Sequence, residues 1–237
     1  MSIRYVLFDL DGTLLPMDQD IFIKNYFTRL AGYMMPYGYE PSALISAIWK
    51  GTEAMEANNG LLTNEQVFWN TFTSVTGDKE RTDTKVFDGF YGEEFQKVKE
   101  VCSPCKASKE IVDFFKARKT GVVLATNPVF PALATVSRIR WAGLEPEDFV
   151  LYTTFENSHY SKPNPDYYKE ILEKIGARPE ECLMVGNDTR DDMIASELGM
   201  KVYLVTDYLI NKENKDIDLY PHGSLEQFKE YAKELLL

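Results

Sequence analysis

Short, almost unbroken apolar runs recur at wide intervals along the chain: Tyr5 to Phe8, Val122 to Ala125, Val150 to Tyr152, Leu183 to Val185 and Val202 to Val205. Runs of this length without polar alternation read as strands buried on both faces. Between the later runs, apolar residues recur at helical spacing. One helix is expected to begin near Ser108, to carry Ile111, Val112, Phe114 and Phe115, and to stop at Gly121. Another follows Pro165, carries Tyr168, Ile171, Leu172 and Ile175, and closes on Gly176. A third follows Asp191 and ends at Gly199, and a last one opens with the capping pair Ser224 and Gln227. Strands alternating with helices predict an α/β protein built on a parallel sheet covered on both faces.

The stretch from about Asp18 to about Val98 breaks this rhythm, with no strand pattern in it. Phe22, Tyr26, Phe27 and Leu30 share one helical face, and Leu44, Ile45, Ile48, Trp49 and Met55 share another. Thr63 and Gln66 form a capping box before Val67, Phe68, Phe72 and Val75, with Gly77 as the stop. Phe87, Phe90, Tyr91 and Phe95 mark a fourth helix. Residues 17–98 are therefore expected to form a small four-helix bundle. It would be inserted into a core made of residues 1–16 and 99–237.

Composition narrows the class. At 44% hydrophobic and 27% charged, the 237 residues suit an ordinary globular protein. A formal net charge of −11 argues against nucleic acid and against anionic membrane surfaces as partners. No apolar run is long enough to span a bilayer, and no leader pattern precedes the first strand. Three cysteines outside any disulfide framework suggest a reducing, cytoplasmic setting, and a monomer or homodimer is expected.

The chemistry lies at the strand ends. Asp9-Leu10-Asp11-Gly12-Thr13 follows the first strand directly. Two carboxylates this close are costly to bury without a cation between them, and a divalent ion is the simplest remedy. Thr126-Asn127-Pro128 follows the second strand and offers a hydroxyl and an amide to phosphate oxygens. Lys162, in Lys162-Pro163-Asn164-Pro165, is a cation held by a rigid turn ahead of a helix. Gly186-Asn187-Asp188-Thr189-Arg190-Asp191-Asp192 follows the fourth strand, and capping accounts for one of its carboxylates but not three. Each signal alone has an ordinary explanation as a turn, a solvated lysine or a helix cap. Together they lie where a doubly wound sheet collects ligands into one crevice.

In this order the motifs resemble those of the haloacid dehalogenase superfamily, over the whole chain. The resemblance implies a Rossmann-like doubly wound core with a helical cap inserted after the first motif. It further implies a magnesium-dependent phosphohydrolase acting on a small phosphorylated metabolite. Asp9 would be the nucleophile that forms an aspartyl-phosphate, and Asp11 the acid and base. Lys162 and Thr126 would hold the phosphoryl group, with backbone N–H groups near Leu10 and Asn127. Magnesium would bind Asp9, the backbone carbonyl of Asp11, and Asp188. Many relatives carry the metal-binding Asp where this chain has Asn187, so the amide oxygen of Asn187 is a second candidate. Asp192 would orient Lys162.

Other chemistries fit less well. Dehalogenases of the superfamily lack an acid at the position of Asp11. A sugar phosphomutase would need a cap that retains a bisphosphate intermediate, and a phosphonate hydrolase a cap lysine such as Lys24 or Lys50. A non-catalytic, partner-binding member would be expected to have lost one of Asp9, Asp11, Lys162 or Asp188. Cys102-Ser103-Pro104-Cys105 lacks the strand that precedes a redox motif and the partners that zinc needs. His159 and His222 are isolated.

Overall fold

The apolar run after Arg4 becomes strand β1, Tyr5–Phe8, in which Val6, Leu7 and Phe8 are fully enclosed. In the computed structural model, which describes residues 2–77 and 84–235, this strand is the middle of the fold. Helices α1 (Gln19–Met34), α2 (Pro41–Glu56), α3 (Asn64–Thr76) and α4 (Thr84–Gly92) follow it, and then a 3-10 segment over Glu94–Val101. Residues 78–83 of the expected bundle lie outside the described residues. The chain then runs through α5 (Lys106–Ala117), β2 (Gly121–Leu124), α6 (Ala132–Trp141), β3 (Leu151–Tyr152), α7 (Pro165–Ile175) and β4 (Cys182–Gly186). Strands β5 (Lys201–Val205) and β6 (His222–Gly223) and helix α8 (Leu225–Leu235) complete it.

The sheet has the order β3-β2-β1-β4-β5-β6 with every neighbouring pair parallel. This is the Rossmann-like doubly wound arrangement. Successive side chains of β1 point to opposite faces. Phe8 packs edge-on against Phe115 of α5 and Phe228 of α8. Leu7 joins Val123, Met184 and the rings of Tyr167 and Tyr168 on the other face. Both faces are covered, which is why the strands read as continuous apolar runs.

The differences from the sequence reading have local causes. The fourth inserted helix ends at Gly92, so Phe95 lies on the 3-10 segment. Helix α5 starts at Lys106 and ends at Ala117. Gly121 instead opens β2, where a Cβ would strike the ring of Tyr5. The expected helix after Asp191 is a 3-10 segment over Met193–Leu198. Strand β6 is two residues, His222 and Gly223, with no apolar signature. Helix α6 has no pattern because its buried face includes Arg138 at a core position. No helix among the described residues is long and apolar enough to cross a membrane.

One joint holds the inserted helices to the sheet layer. The first backbone N–H groups of α3 have no partners within their own helix. Asn64 N donates to Ser158 O and Glu65 N to Phe155 O, each at 2.8 Å. The enclosed Asn64 side chain continues the joint. Its Nδ2 faces Pro128 O at 3.2 Å, Tyr160 O at 3.3 Å and Ser161 Oγ at 3.1 Å, and its Oδ1 accepts from Asn58 Nδ2 at 2.9 Å. Leaving such groups buried without partners costs about 1–3 kcal/mol. Asn64→Leu, close in size, is therefore expected to lower the unfolding free energy by about that amount. Chemical denaturation checks this; an unchanged midpoint would show that the joint carries no stability.

Candidate active site

In this topology the strand order reverses between β1 and β4, and ligands bind beyond the strand ends at such a point. Asp9 sits there. Its backbone N–H continues the ladder to Val185 O of β4 at 2.9 Å, fixing the residue just past β1. Asp9 Oδ1 accepts from Lys162 Nζ at 2.9 Å, and Lys162 Nζ also donates to Asp192 Oδ1 at 2.6 Å. Lys162 is 2% exposed. Burial alone would pull its ammonium down, but Asp192 and then Asp9 outweigh this and hold it well above the usual lysine range.

The turn after β1 brings a second element in. Gly12 has φ of +83°, and a Cβ there would collide with the Asn187 amide, so conformation and space both require glycine. Thr13 Oγ1 lies 3.2 Å from Asp9 Oδ2 and 3.1 Å from Asn187 Oδ1, so one hydroxyl links the two motifs. Asp188 turns its Oδ1 onto the N–H groups of Arg190 (2.7 Å) and Asp191 (3.0 Å). Asp192 Oδ2 accepts from Asp188 N at 2.9 Å, packed so close to Gly186 that a Cβ on Gly186 would overlap its carboxylate.

The Thr126 carbonyl receives Thr153 Oγ1 at 2.6 Å and the Tyr167 hydroxyl at 2.8 Å, which anchors the residue past β2. Asn127 Oδ1 accepts from Lys162 N at 3.2 Å. The enclosed Leu10 holds the turn through its carbonyl, which accepts from Thr13 N at 3.2 Å and Leu15 N at 2.8 Å.

Asp11 has a partner that no sequence signal indicated. Its Oδ2 is ion-paired with Arg138 Nη1 from α6, while its Oδ1 is buried with no hydrogen-bond partner. The fully buried Arg138 guanidinium also lies over the Phe130 ring, 4.5 Å from its centre. Burial raises the Asp11 carboxyl to about 6; Arg138 works against this and Asp9 adds to it. A core arginine on an irregular helix leaves no periodic mark.

A cavity of about 440 Å³ opens from Asp11 and Asn127 towards the inserted helices. Lys24 and Lys50 are exposed and neither lines it. Cys102, Cys105 and Cys182 are free, and burial pushes the Cys102 thiol up to about 12, far from a reactive thiolate. His159 pairs with Glu170 at 2.8 Å, away from the carboxylates.

The candidate ligands named from the sequence, the Asp9 carboxylate, the Asp11 carbonyl, the Asn187 amide and the Asp188 carboxylate, are all oxygens, and Thr13 Oγ1 bridges Asp9 and Asn187. Among the described residues no three His, Cys, Asp or Glu side chains converge into a metal cage. An ion that keeps several waters and takes one or two carboxylates suits this set, whereas zinc does not. Burial and then Asp188 raise the neighbouring Asp191 to about 6.

Comparison with known proteins agrees with the geometry. Residues 3–199 match the model of the haloacid dehalogenase-like hydrolases, and the chain belongs to that family. It is 25% identical to the pyrophosphatase PpaX of Bacillus cereus over 207 residues, 87% of this chain and 84% of that protein. Among solved structures, the 2-haloacid dehalogenase of Pseudomonas syringae superposes with a TM-score of 0.65 at 16% identity, covering 98% of this chain and 99% of the other. The HAD-hydrolase YfnB of Bacillus subtilis, solved bound to magnesium, gives 0.58 at 16% identity over 98% and 100%.

The Asp11–Arg138 pair makes a measurable demand. Removing one partner of a buried pair typically costs about 3–5 kcal/mol, because the other charge stays buried. Arg138→Met is expected to lose about that much unfolding free energy, and adding Asp11→Asn in the same chain should return a large part of it. Denaturant unfolding of the wild type, both single variants and the double variant measures the coupling. Strictly additive losses would show that the pair is not the cause.

Proposed function

We propose that the protein is a magnesium-dependent phosphatase working through an aspartyl-phosphate on Asp9. The observation that carries this is the enclosed Lys162 ammonium bound to Asp9 at 2.9 Å, with a second carboxylate, Asp11, two residues along the same turn. The helical segment 17–98 acts as the cap of the core formed by 1–16 and 99–237, and the substrate is a small phosphate ester. The relative from Bacillus cereus is named a pyrophosphatase, which supports the broader class of hydrolysis at phosphorus.

In the first step an Asp9 oxygen attacks phosphorus. The bond to the leaving oxygen breaks, and Asp11 gives that oxygen its proton. In the second step Asp11 takes a proton from water as the water oxygen attacks the same phosphorus, releasing phosphate and restoring the Asp9 carboxylate. A carboxyl raised to about 6 can serve in both directions near neutrality. The Lys162 ammonium offsets charge on the transferring phosphoryl oxygens, and Thr126 with the N–H groups near Leu10 and Asn127 binds them. Asp192 keeps Lys162 in place. Magnesium, held by Asp9, the Asp11 carbonyl and Asp188 or Asn187, would supply the positive charge that lets a phosphate dianion approach a carboxylate.

Purified protein with magnesium is expected to hydrolyse 4-nitrophenyl phosphate, and chelation should stop turnover until magnesium is restored. Asp9→Asn should lower the rate by about 10⁴–10⁶-fold, the scale for losing a nucleophile. Unchanged turnover in that variant would overturn the assignment.

A further inference from the structure

The cavity beside Asp11 says which alcohol the phosphate is attached to. Its wall is ring after ring: Phe22, Tyr26, Trp49, Phe68, Phe87 and Phe130 all line it. The charged side chains that join them are acidic, namely Glu56, Glu65, Asp88 and Glu156 besides Asp11. No lysine, arginine or histidine among the described residues lines it. Arg138 is committed to Asp11 and Lys162 to Asp9 and Asp192, while Arg190, which acts on Glu56 from outside the wall, lies 3.9 Å from Glu213. Glu156 caps α6 through Ala132 N at 2.8 Å, while Glu65 and Asp88 form no ion pair among the described residues. The Glu65 carboxyl is raised by burial and then by Glu156 and Asp88, as expected where negative charges gather without a counter-charge.

Three consequences follow for an occupant. About 440 Å³ holds an aromatic ring with a short side chain, and rings stack or meet edge-on with such a wall. A cation gains twice, from aromatic faces and from the carboxylates. A second anionic group would lie among carboxylates, with no cation among the described wall residues to meet it.

Building on the phosphatase reading above, we propose that the substrate is the phosphate ester of an aromatic alcohol bearing a basic nitrogen. The phosphate sits at Asp9 and Lys162, the ring lies among the aromatic side chains, and the ammonium faces Glu65 and Asp88. The pocket thereby selects against pyrophosphate and carboxylated esters.

The test compares kcat/KM, with magnesium, for 4-(2-aminoethyl)phenyl phosphate, its neutral isostere 4-ethylphenyl phosphate, the anionic 4-(2-carboxyethyl)phenyl phosphate, and pyrophosphate. The amine should exceed the neutral ester by roughly tenfold, the scale of one charge-assisted hydrogen bond, and the carboxylate and pyrophosphate should rank below both. In the Glu65→Gln, Asp88→Asn double variant the ratio of amine to neutral ester should fall towards one. Equal rates for amine and neutral ester, or a preference for the carboxylate or pyrophosphate, would overturn the inference while leaving phosphatase activity intact. Failure to hydrolyse any ester would instead sink the phosphatase reading. A separate binding measurement covers that outcome. Fluorescence of Trp49 and Trp69, both in the cavity wall, should respond to 2-phenylethylamine and not to phenylacetate. No response to the amine, or an equal response to both, would overturn the cavity assignment whatever the activity.

Discussion

An ammonium group enclosed to 2% exposure is tolerable only with carboxylates on it, and Lys162 has two. Those partners come from different crossovers: Asp9 from the end of β1, Asp192 from the turn after β4. The lysine itself comes from the loop before α7. Three stretches of chain are thus tied at one nitrogen, and their neighbours inherit the constraint. Gly186 must lack a side chain because Asp192 packs against it, and the Asp188 backbone N–H is held by the second oxygen of Asp192. The same attraction fixes the Asp9 carboxylate at the end of β1.

A second ion pair divides the labour. Arg138 neutralises Asp11 from α6, while Lys162 serves Asp9 from the loop before α7. With both cations engaged at the carboxylates, the space beyond them is left to aromatic rings and acids. The end of the crevice at Lys162 and Arg138 and the cavity beyond it therefore differ in electrostatic character. This polarity follows from which partners the buried cations chose.

Much of this could be read in the sequence, for reasons that can be named. Strands covered on both faces must be apolar throughout, so the runs ending at Phe8, Ala125 and Val185 announced the sheet, and the polar residues just after them announced the crevice. Thr63 with Gln66, and Gly176, carried their caps openly. What stayed hidden depended on contacts between distant segments. Helix α6 was illegible because Arg138 occupies a core position that apolar periodicity would assign to a leucine, and its ion pair with Asp11 was lost with it. Asn64 looked like an ordinary residue at a helix start, although its amide reaches Pro128, Tyr160 and Ser161. Strand β6 is made by its neighbour β5 and not by its own two residues.

The position of β1 has a consequence in time. Asp9 directly follows a strand that lies in the middle of the sheet, between β2 and β4. Its lysine follows 153 residues later, and Thr13 meets Asn187 across a separation of 174. Loop-closure entropy makes such long-range pairings late events. A chain that stops short of α6 carries Asp9 and Asp11 but neither Arg138 nor Lys162, so the two carboxylates meet their counter-charges only after most of the core has been added.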